Sequence, residues 1–224
     1  MSDVKMPGQP VPERVVVYIA GFNLYFGIRS SGLGRYLWLD LCVFANGLLH
    51  PRQKLVAVRY FTSRVSGSLA KQKRQSAYLD ALSTLDPSVL SIAYGNFQLT
   101  PVKCNQCGGL SDSPSEKQTD VNIAVEMLKD AFLDSFDVAL LVSADSDLCP
   151  AVSTVLDLFP NKRIIACFPP GRSSKELAAV ASACYTIGRG KLKDSQFPQI
   201  VQTAKGFQLR KPALWDDLEY QKPH

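Results

Sequence analysis

Two aspartates follow a short apolar run in the second half of the chain. Val138–Val142 consists of five consecutive apolar residues, a pattern typical of a strand that is buried on both faces. Asp145 and Asp147 come soon after it, and the spacing of apolar residues over 148–159 predicts a helix. Open α/β sheets bind ligands at the carboxyl ends of their strands. The two carboxylates are therefore candidate ligands for a divalent cation, although one of them could simply cap the helix.

A second strand is expected to end at the same place. Residues 15–19 are β-branched or aromatic without alternation, which predicts another buried strand. The pattern breaks at Ala20 and continues as a helical segment that includes Asn23. Right-handed crossovers place the C-terminal ends of parallel strands along one edge. Asn23 is thus expected near the two aspartates, unless it is only a turn residue that tolerates a left-handed backbone.

Strands and helices alternate along the chain, which predicts an α/β fold with a mostly parallel central sheet between two helical layers. A polar loop is expected up to Glu116 and Lys117, followed by a helix over residues 120–133. Further strands are predicted at residues 55–61, 89–99, 163–168 and 184–187. The buried face of the helix over 120–133 is expected to contain Val121, Ala124, Val125, Leu128, Ala131 and Phe132.

Composition describes an ordinary globular protein of 224 residues, 46% of them hydrophobic and 20% charged. The net charge of +5 suits a polyanionic partner but does not identify one. The sequence has no apolar run of 18 residues, so no membrane association is expected. Residues 1–13 are polar and proline-rich, without the apolar core of a signal peptide, and are predicted to be a disordered lead-in.

Six cysteines bear on the compartment and on metal binding. Four of them lie in apolar stretches, as buried free thiols do, and this predicts a reducing cytoplasm. Cys104 and Cys107 are spaced like half of a zinc site, but no second pair lies nearby. We therefore do not favour a structural zinc ion; a tight turn explains the pair, and two such pairs meeting across a homodimer is the alternative.

Three segments together resemble a known family. They are YIAGFNLY at residues 18–25, EKQTDVNIAVEML at 116–128 and LLVSADSDLCPAV at 140–152. This ordered set resembles the NYN domain family of PIN-like nucleases, and within it the bacterial LabA-like branch. The resemblance covers roughly residues 15–182, and the basic ending with Trp215 is also similar. It implies a PIN-like, Rossmannoid three-layer α/β/α sandwich at residues 14–188, with a basic extension at 189–224 packed on it.

Members of that family are typically metal-dependent ribonucleases, and the resemblance implies roles for individual residues. Asp120, Asp145 and Asp147 would hold one or two Mg²⁺ or Mn²⁺ ions, directly or through water. Asn23 would orient the substrate phosphate or a ligand water, and Ser143 would hydrogen-bond within the cluster. Asp120 could instead be an acid favoured by the helix dipole, and a local backbone hydrogen bond would equally explain Ser143.

Ala20 departs from the family pattern. The family motif has aspartate at this position, where that acid is central to the metal site, and alanine cannot coordinate a metal ion. A natural pseudoenzyme and an inactivating substitution in an active nuclease both explain it. Because Asn23, Asp120, Asp145 and Asp147 are intact, we interpret Ala20 as the inactivating substitution. Removing even a group that supports a ligand costs about 10- to 100-fold, so the chain is expected to be nearly or wholly inactive.

Basic and aromatic residues near the predicted site could contact nucleic acid. Arg172 and Ser173 begin a helix after a strand, a favourable position for an anion. A phosphate-binding surface could be formed by Arg64, Lys71, Lys73 and Arg74, although a solvated helix face is the common explanation of such a cluster. Unpaired bases could stack on Phe22, Tyr25 and Phe26, for which core packing is the alternative.

The leading functional hypothesis is an endoribonuclease that prefers single-stranded RNA, with single-stranded DNA as a second candidate substrate. A homodimer is compatible with the sequence. The first alternative is an inactive nucleic-acid-binding or regulatory module, which Ala20 favours. The second is a phosphatase of the haloacid dehalogenase type, because Asp145 and Asp147 match its D-x-D core. That motif usually follows the first strand, which argues against the phosphatase.

Overall fold

The computed structural model describes residues 11–103 and 110–215. A seven-stranded sheet crosses the molecule in the order β4-β3-β2-β1-β5-β6-β7. Neighbouring strands are parallel except β3 and β4, which are antiparallel. The strands are β1 Glu13–Ala20, β2 Gln53–Ser63, β3 Leu90–Lys103, β4 Leu110–Lys117, β5 Val138–Val142, β6 Arg163–Phe168 and β7 Ala183–Thr186.

Helices cover both faces of the sheet and connect its parallel strands. They are α1 Gly21–Ser30, α2 Leu41–Leu48, α3 Leu69–Leu82, α4 Thr119–Phe132, α5 Cys149–Leu158, α6 Lys175–Val180 and α7 Arg189–Lys193. A short hairpin of β8 Ile200–Gln202 and β9 Gln208–Arg210 follows. No helix in the described part of the chain is long and apolar enough to cross a membrane.

The alternation of β1 between two cores explains its unbroken apolar sequence. Val15, Val17 and Ile19 pack with α1, α2 and α3 on one face. Val16 and Tyr18 pack with α4, α5 and α6 on the other. Because both faces of the strand are buried, polar and apolar residues do not alternate along it. The predicted three-layer α/β/α architecture with a mostly parallel sheet is confirmed.

Two local predictions were wrong. The stretch before Lys117 is not a loop but the edge strand β4, which pairs with β3. Backbone hydrogen bonds to one neighbour stabilise this strand, so its sequence carries no apolar pattern. The buried residues of α4 include Ile123, Met127 and Ala131. Three residues of the predicted buried face are exposed instead: Val121 by 62%, Val125 by 57% and Phe132 by 79%.

The described cysteines are free thiols, but most of them are not buried as predicted. Four described cysteines are free, but only Cys167 is buried, and Cys184 is exposed. The expectation of buried thiols was therefore wrong for most of them. Cys104 and Cys107 lie outside the described residues, as do residues 1–10 and 216–224. The proposed boundary between a domain at 14–188 and an extension at 189–224 stays a prediction, although the Trp215 ring lies 6.2 Å from that of Trp38, centroid to centroid.

A buried polar network fixes α4 against the sheet. Asp130 is 2% exposed. It accepts hydrogen bonds from the Tyr18 hydroxyl at 2.8 Å and from Arg59 Nε at 3.2 Å. The network joins α4 to β1 and β2, because Tyr18 and Arg59 belong to those strands. This anchor determines where the N-terminus of α4, with Asp120, meets the end of β1.

An ion pair at the start of β1 gives the fold a pH-dependent contribution. The Arg14 backbone N–H and Nη2 donate to Asp137, each at 2.7 Å. These hydrogen bonds lower the pKa of Asp137. The stabilisation is therefore complete above about pH 4 and is lost as the pH falls through the lowered pKa.

We expect Asp137→Asn to lower the free energy of unfolding by about 1 kcal/mol at neutral pH, and by less near pH 3. Chemical denaturation at both pH values measures this difference. Asp157→Asn on α5 is the control, because that exposed aspartate makes no ion pair with the described residues. An equal loss at both pH values would contradict the assignment.

Candidate active site

The chain at the end of β1 lies very close to the end of β2. Ala20 is the last residue of the strand and pairs with Phe61. α1 begins at the next residue, Gly21, where a Cβ would stand 2.8 Å from both the Phe61 carbonyl oxygen and the Tyr60 hydroxyl. No side chain fits there without a shift, which explains the glycine of the G-x-N turn. Residue 20 is consequently held in a fixed position at the edge of the sheet.

The loop after β5 is ordered by its own side chains and by α1. Ser143 is buried, and its Oγ accepts the Asp145 N–H at 3.1 Å. The Asn23 side-chain Oδ1 accepts the Ala144 N–H at 3.1 Å. Asp145 also accepts the Asp147 N–H at 3.1 Å, so it does cap the short 3-10 turn that leads into α5. Asn23 thus connects the ends of β1 and β5.

A cavity of about 150 Å³ lies at this edge of the sheet. It contains two carboxylates, those of Asp120 and Asp145, while the exposed Asp147 is not part of its lining. The lining residues are Ala20, Phe22, Asn23, Phe26, Thr119, Asp120, Asp145 and Arg172. Most of the predicted site residues therefore line one cavity. Thr119 is an addition, and its only signal in the sequence was its place in the segment EKQTDVNIAVEML.

The acids of this cavity repel one another. The pKa of Asp120 is raised, first by its partial burial and then by the negative charges of Asp145 and Asp147. Carboxylates arranged in this way favour protonation or a bound cation. The arrangement is one that a positively charged ligand would stabilise.

Arg172 lines the same cavity without being neutralised by these acids. Its Nε is buried and has no hydrogen-bond partner among the described residues, and it makes no ion pair there. The turn that carries it is packed on α1 at Gly27, where a Cβ would stand 2.6 Å from Pro169 Cβ. Gly171 in this turn has a φ of 67°, which favours glycine. The turn thereby holds Arg172 in the lining of the cavity that also contains Asp120 and Asp145, where its guanidinium can bind an anion.

The other residues predicted to contact nucleic acid do not line this cavity. Lys71 and Arg74 line a second, larger cavity, of which Lys73 is not a part. Arg64 is exposed, with its Cζ 5.2 Å from the centroid of the Tyr94 ring. Ser173 is exposed, and the α6 cap is its neighbour Ser174, whose Oγ accepts the Leu177 N–H at 3.1 Å.

The donor set agrees with an open magnesium site rather than with a closed protein cage. Among the described residues, no three carboxylate, imidazole or thiol groups are close enough together to hold a metal ion. Mg²⁺ in phosphate chemistry usually keeps several waters and takes only one or two carboxylates from the protein. Asp120 and Asp145 meet that requirement. An acid at position 20, where Ala20 lines the same cavity, would add a third.

The chain belongs to the NYN domain family, whose model matches residues 14–205. This confirms the predicted family and places the chain among nuclease-like, PIN-like domains; the branch within the family stays a prediction.

A curated relative is 6-hydroxy-3-succinoylpyridine 3-monooxygenase HspA of Pseudomonas putida, 24% identical over 177 residues, with 64% of this chain and 56% of that protein covered. The chain thus spans about half the length of this relative. A crystal structure of a protein of unknown function from Vibrio parahaemolyticus has the same fold, with a TM-score of 0.51 and 16% identity. That similarity covers 81% of this chain and 97% of the other.

Proposed function

We propose that this chain has the site of a metal-dependent endoribonuclease that prefers single-stranded RNA, and that Ala20 makes it inactive. The observation that carries the proposal is one cavity lined both by two carboxylates and by the guanidinium of Arg172, which makes no ion pair with the described residues. A phosphodiester with a bound cation has the complementary charges. Membership of the NYN family supports the same chemistry.

Each side chain has a distinct task in this proposal. Asp120 and Asp145 would hold Mg²⁺ or Mn²⁺, and the ion would supply a nucleophilic water at neutral pH and stabilise charge on the leaving oxygen. Arg172 binds a non-bridging phosphate oxygen, since a guanidinium matches the geometry of phosphate. Asn23 uses its Oδ1 to hold the β5 loop, which leaves its NH₂ group to donate to the phosphate or to a water.

Ala20 accounts for inactivity without loss of binding. Its methyl group supplies no ligand, whereas the groups that contact phosphate and support the loop are retained. The alternative, a binding or regulatory module on the same fold, predicts that restoring an acid at position 20 has no catalytic effect. A phosphatase is not proposed, because Asp145 follows β5, the fifth strand along the chain and not the first, and because the chain belongs to the NYN domain family.

We also propose that the protein is cytoplasmic. Free thiols at the four described cysteines support a reducing cytoplasm, where the polyanionic substrate RNA is present. Homodimer formation stays a prediction.

Cleavage of matched oligonucleotides tests the substrate class. The Ala20→Asp variant is incubated with Mn²⁺ and end-labelled single-stranded RNA, double-stranded RNA and single-stranded DNA of one sequence. We expect internal cuts mainly in the single-stranded RNA, and binding without cleavage by the unchanged chain. Equal cleavage of the duplex would contradict the strand preference. Binding of RNA by both proteins without cleavage by either would favour the binding module.

A further inference from the structure

A second, larger cavity of about 330 Å³ adjoins the cavity that contains Asp120 and Asp145. We call the larger one the aromatic cavity and the smaller one the acidic cavity. The aromatic cavity lies between α1, the end of β2, α3 and the C-terminal 3-10 turn at Ala213–Trp215. Its volume is in the range of small-molecule sites. Six aromatic rings contribute to its walls: Phe22, Tyr25, Phe26, Tyr60, Tyr78 and Trp215.

Polar groups in this aromatic cavity are available to a ligand. Lys71 and Arg74 line it, and neither makes an ion pair in the described part of the chain. Ser66 also lines it, and its buried hydroxyl has no hydrogen-bond partner among the residues described. A buried hydroxyl without a partner costs free energy, which a ligand with donor or acceptor groups would recover. The cavity therefore offers aromatic faces, positive charge and one hydrogen-bonding group.

The aromatic cavity and the acidic cavity share a wall. Phe22 and Phe26 line both of them, one turn apart on α1. Their rings are stacked, with centroids 6.0 Å apart and planes inclined by 24°. If one phosphate of an RNA strand lies in the acidic cavity, the adjacent nucleotide would lie beside Phe22 and Phe26. Flat rings beside a phosphate site suit a nucleobase, because every base has a face for stacking.

We propose that the aromatic cavity binds the base of the RNA nucleotide that flanks the scissile phosphate, with Lys71 and Arg74 on the phosphate beyond it. The inference rests on the proposed function, because it assigns the neighbouring phosphate to the acidic cavity. Ser66 then hydrogen-bonds to the edge of the base. A base held in this way requires an unpaired strand, which gives a physical reason for the preference for single-stranded RNA.

Binding of small probes to the unchanged chain tests the subsite without metal and without cleavage. The chain contains two tryptophans, and Trp215 lines the cavity while Trp38 is fully buried. We expect adenosine monophosphate to change the tryptophan fluorescence with saturation. Two control probes separate the contributions. Ribose 5-phosphate carries the phosphate and sugar without the base, and nicotinate is an aromatic carboxylate without sugar or phosphate. Equal binding of ribose 5-phosphate, tighter binding of nicotinate, or no saturable binding of adenosine monophosphate would each overturn the proposal.

Two lysines of α3 provide a matched pair of variants. Lys71 and Lys73 are both exposed, but only Lys71 lines the cavity. Lys71→Gln is expected to weaken adenosine monophosphate binding about fivefold or more in low salt, and Lys73→Gln to leave it unchanged. Phe26→Ala, at a residue that is 42% exposed, is expected to weaken binding about fivefold or more through lost stacking. Equal effects of Lys71→Gln and Lys73→Gln would overturn the proposal, provided that all variants melt at the same temperature.

The two proposals fail in distinguishable ways. Binding of adenosine monophosphate with these variant effects supports the subsite, even if Ala20→Asp cuts no RNA and the nuclease proposal is rejected. Cleavage by Ala20→Asp together with unchanged binding in Lys71→Gln and Phe26→Ala rejects the subsite and leaves the nuclease proposal in place.

Discussion

Ala20→Asp is expected to raise the rate of RNA cleavage in Mn²⁺ at least about 100-fold above that of the unchanged chain. The alanine side chain already lines the acidic cavity, so an aspartate would extend into the space beside Asp120 and Asp145. It would give the cation a third carboxylate and fix its position relative to the phosphate that Arg172 binds. Since ligand position decides whether the activated water is aligned for attack, the gain is expected in the rate more than in RNA affinity.

Ala20→Asn is the matched control for this gain. Asparagine has nearly the same shape as aspartate but no negative charge, so it is expected to restore less than a tenth of the activity of Ala20→Asp. Initial rates on one single-stranded RNA, with and without Mn²⁺, measure the comparison. Equal activities of the two variants would show that filling the cavity, not supplying a carboxylate, is what matters, and would contradict the metal assignment.

Asp120→Asn and Asp145→Asn, each made in the Ala20→Asp background, are expected to lower the cleavage rate by about 100-fold. Both carboxylates line the acidic cavity. If the proposal holds, loss of either removes one cation ligand. Asp147→Asn is expected to cost less than about tenfold, because Asp147 is exposed and acts on the site through its charge. Neutralising Asp120 also relieves repulsion, so the Asp120→Asn protein is expected to fold at least as stably without metal.

Rates at saturating Mn²⁺ and thermal melting curves distinguish these expectations. Melting confirms that each variant is folded, and the rates then report on the ligand set. A loss in Asp147→Asn as large as that in Asp145→Asn would mean that the cation sits farther out than the cavity indicates. An unaffected Asp145→Asn would remove this residue from the metal site.

The sequence predicted those features of the site that depend on strand ends. Uninterrupted apolar runs identified β1 and β5, and parallel topology then placed Asn23 near Asp145. The convergence of Asp120 and Arg172 on the same cavity agrees with the predicted site, but Asp147 does not line it. Asp145 caps the 3-10 turn at Ser146–Leu148, which contains Asp147, and Asp147 is exposed. That detail depends on a local hydrogen bond rather than on residue spacing.

The sequence pattern could not predict which helix face is buried or which distant segments pack together. In α4 both the inner set around Met127 and the outer set around Val125 have helical spacing, so only the neighbouring sheet determines which face is buried. The aromatic cavity combines α1 with Trp215 from the far end of the chain. Arg172 is positioned by the absence of a side chain at Gly27. Such features depend on contacts between distant segments, which periodicity does not report.

Titration of the Ala20→Asp variant with Mn²⁺, following metal binding and RNA cleavage in the same samples, tests whether this site is that of a metal-dependent ribonuclease. We expect a saturable Mn²⁺ site, cleavage that rises along the same curve, and loss of both on addition of EDTA. The unchanged chain should bind the metal more weakly and leave the RNA intact. Cleavage that continues in EDTA, or tight metal binding by Ala20→Asp without cleavage, would contradict a metal-dependent ribonuclease at this site.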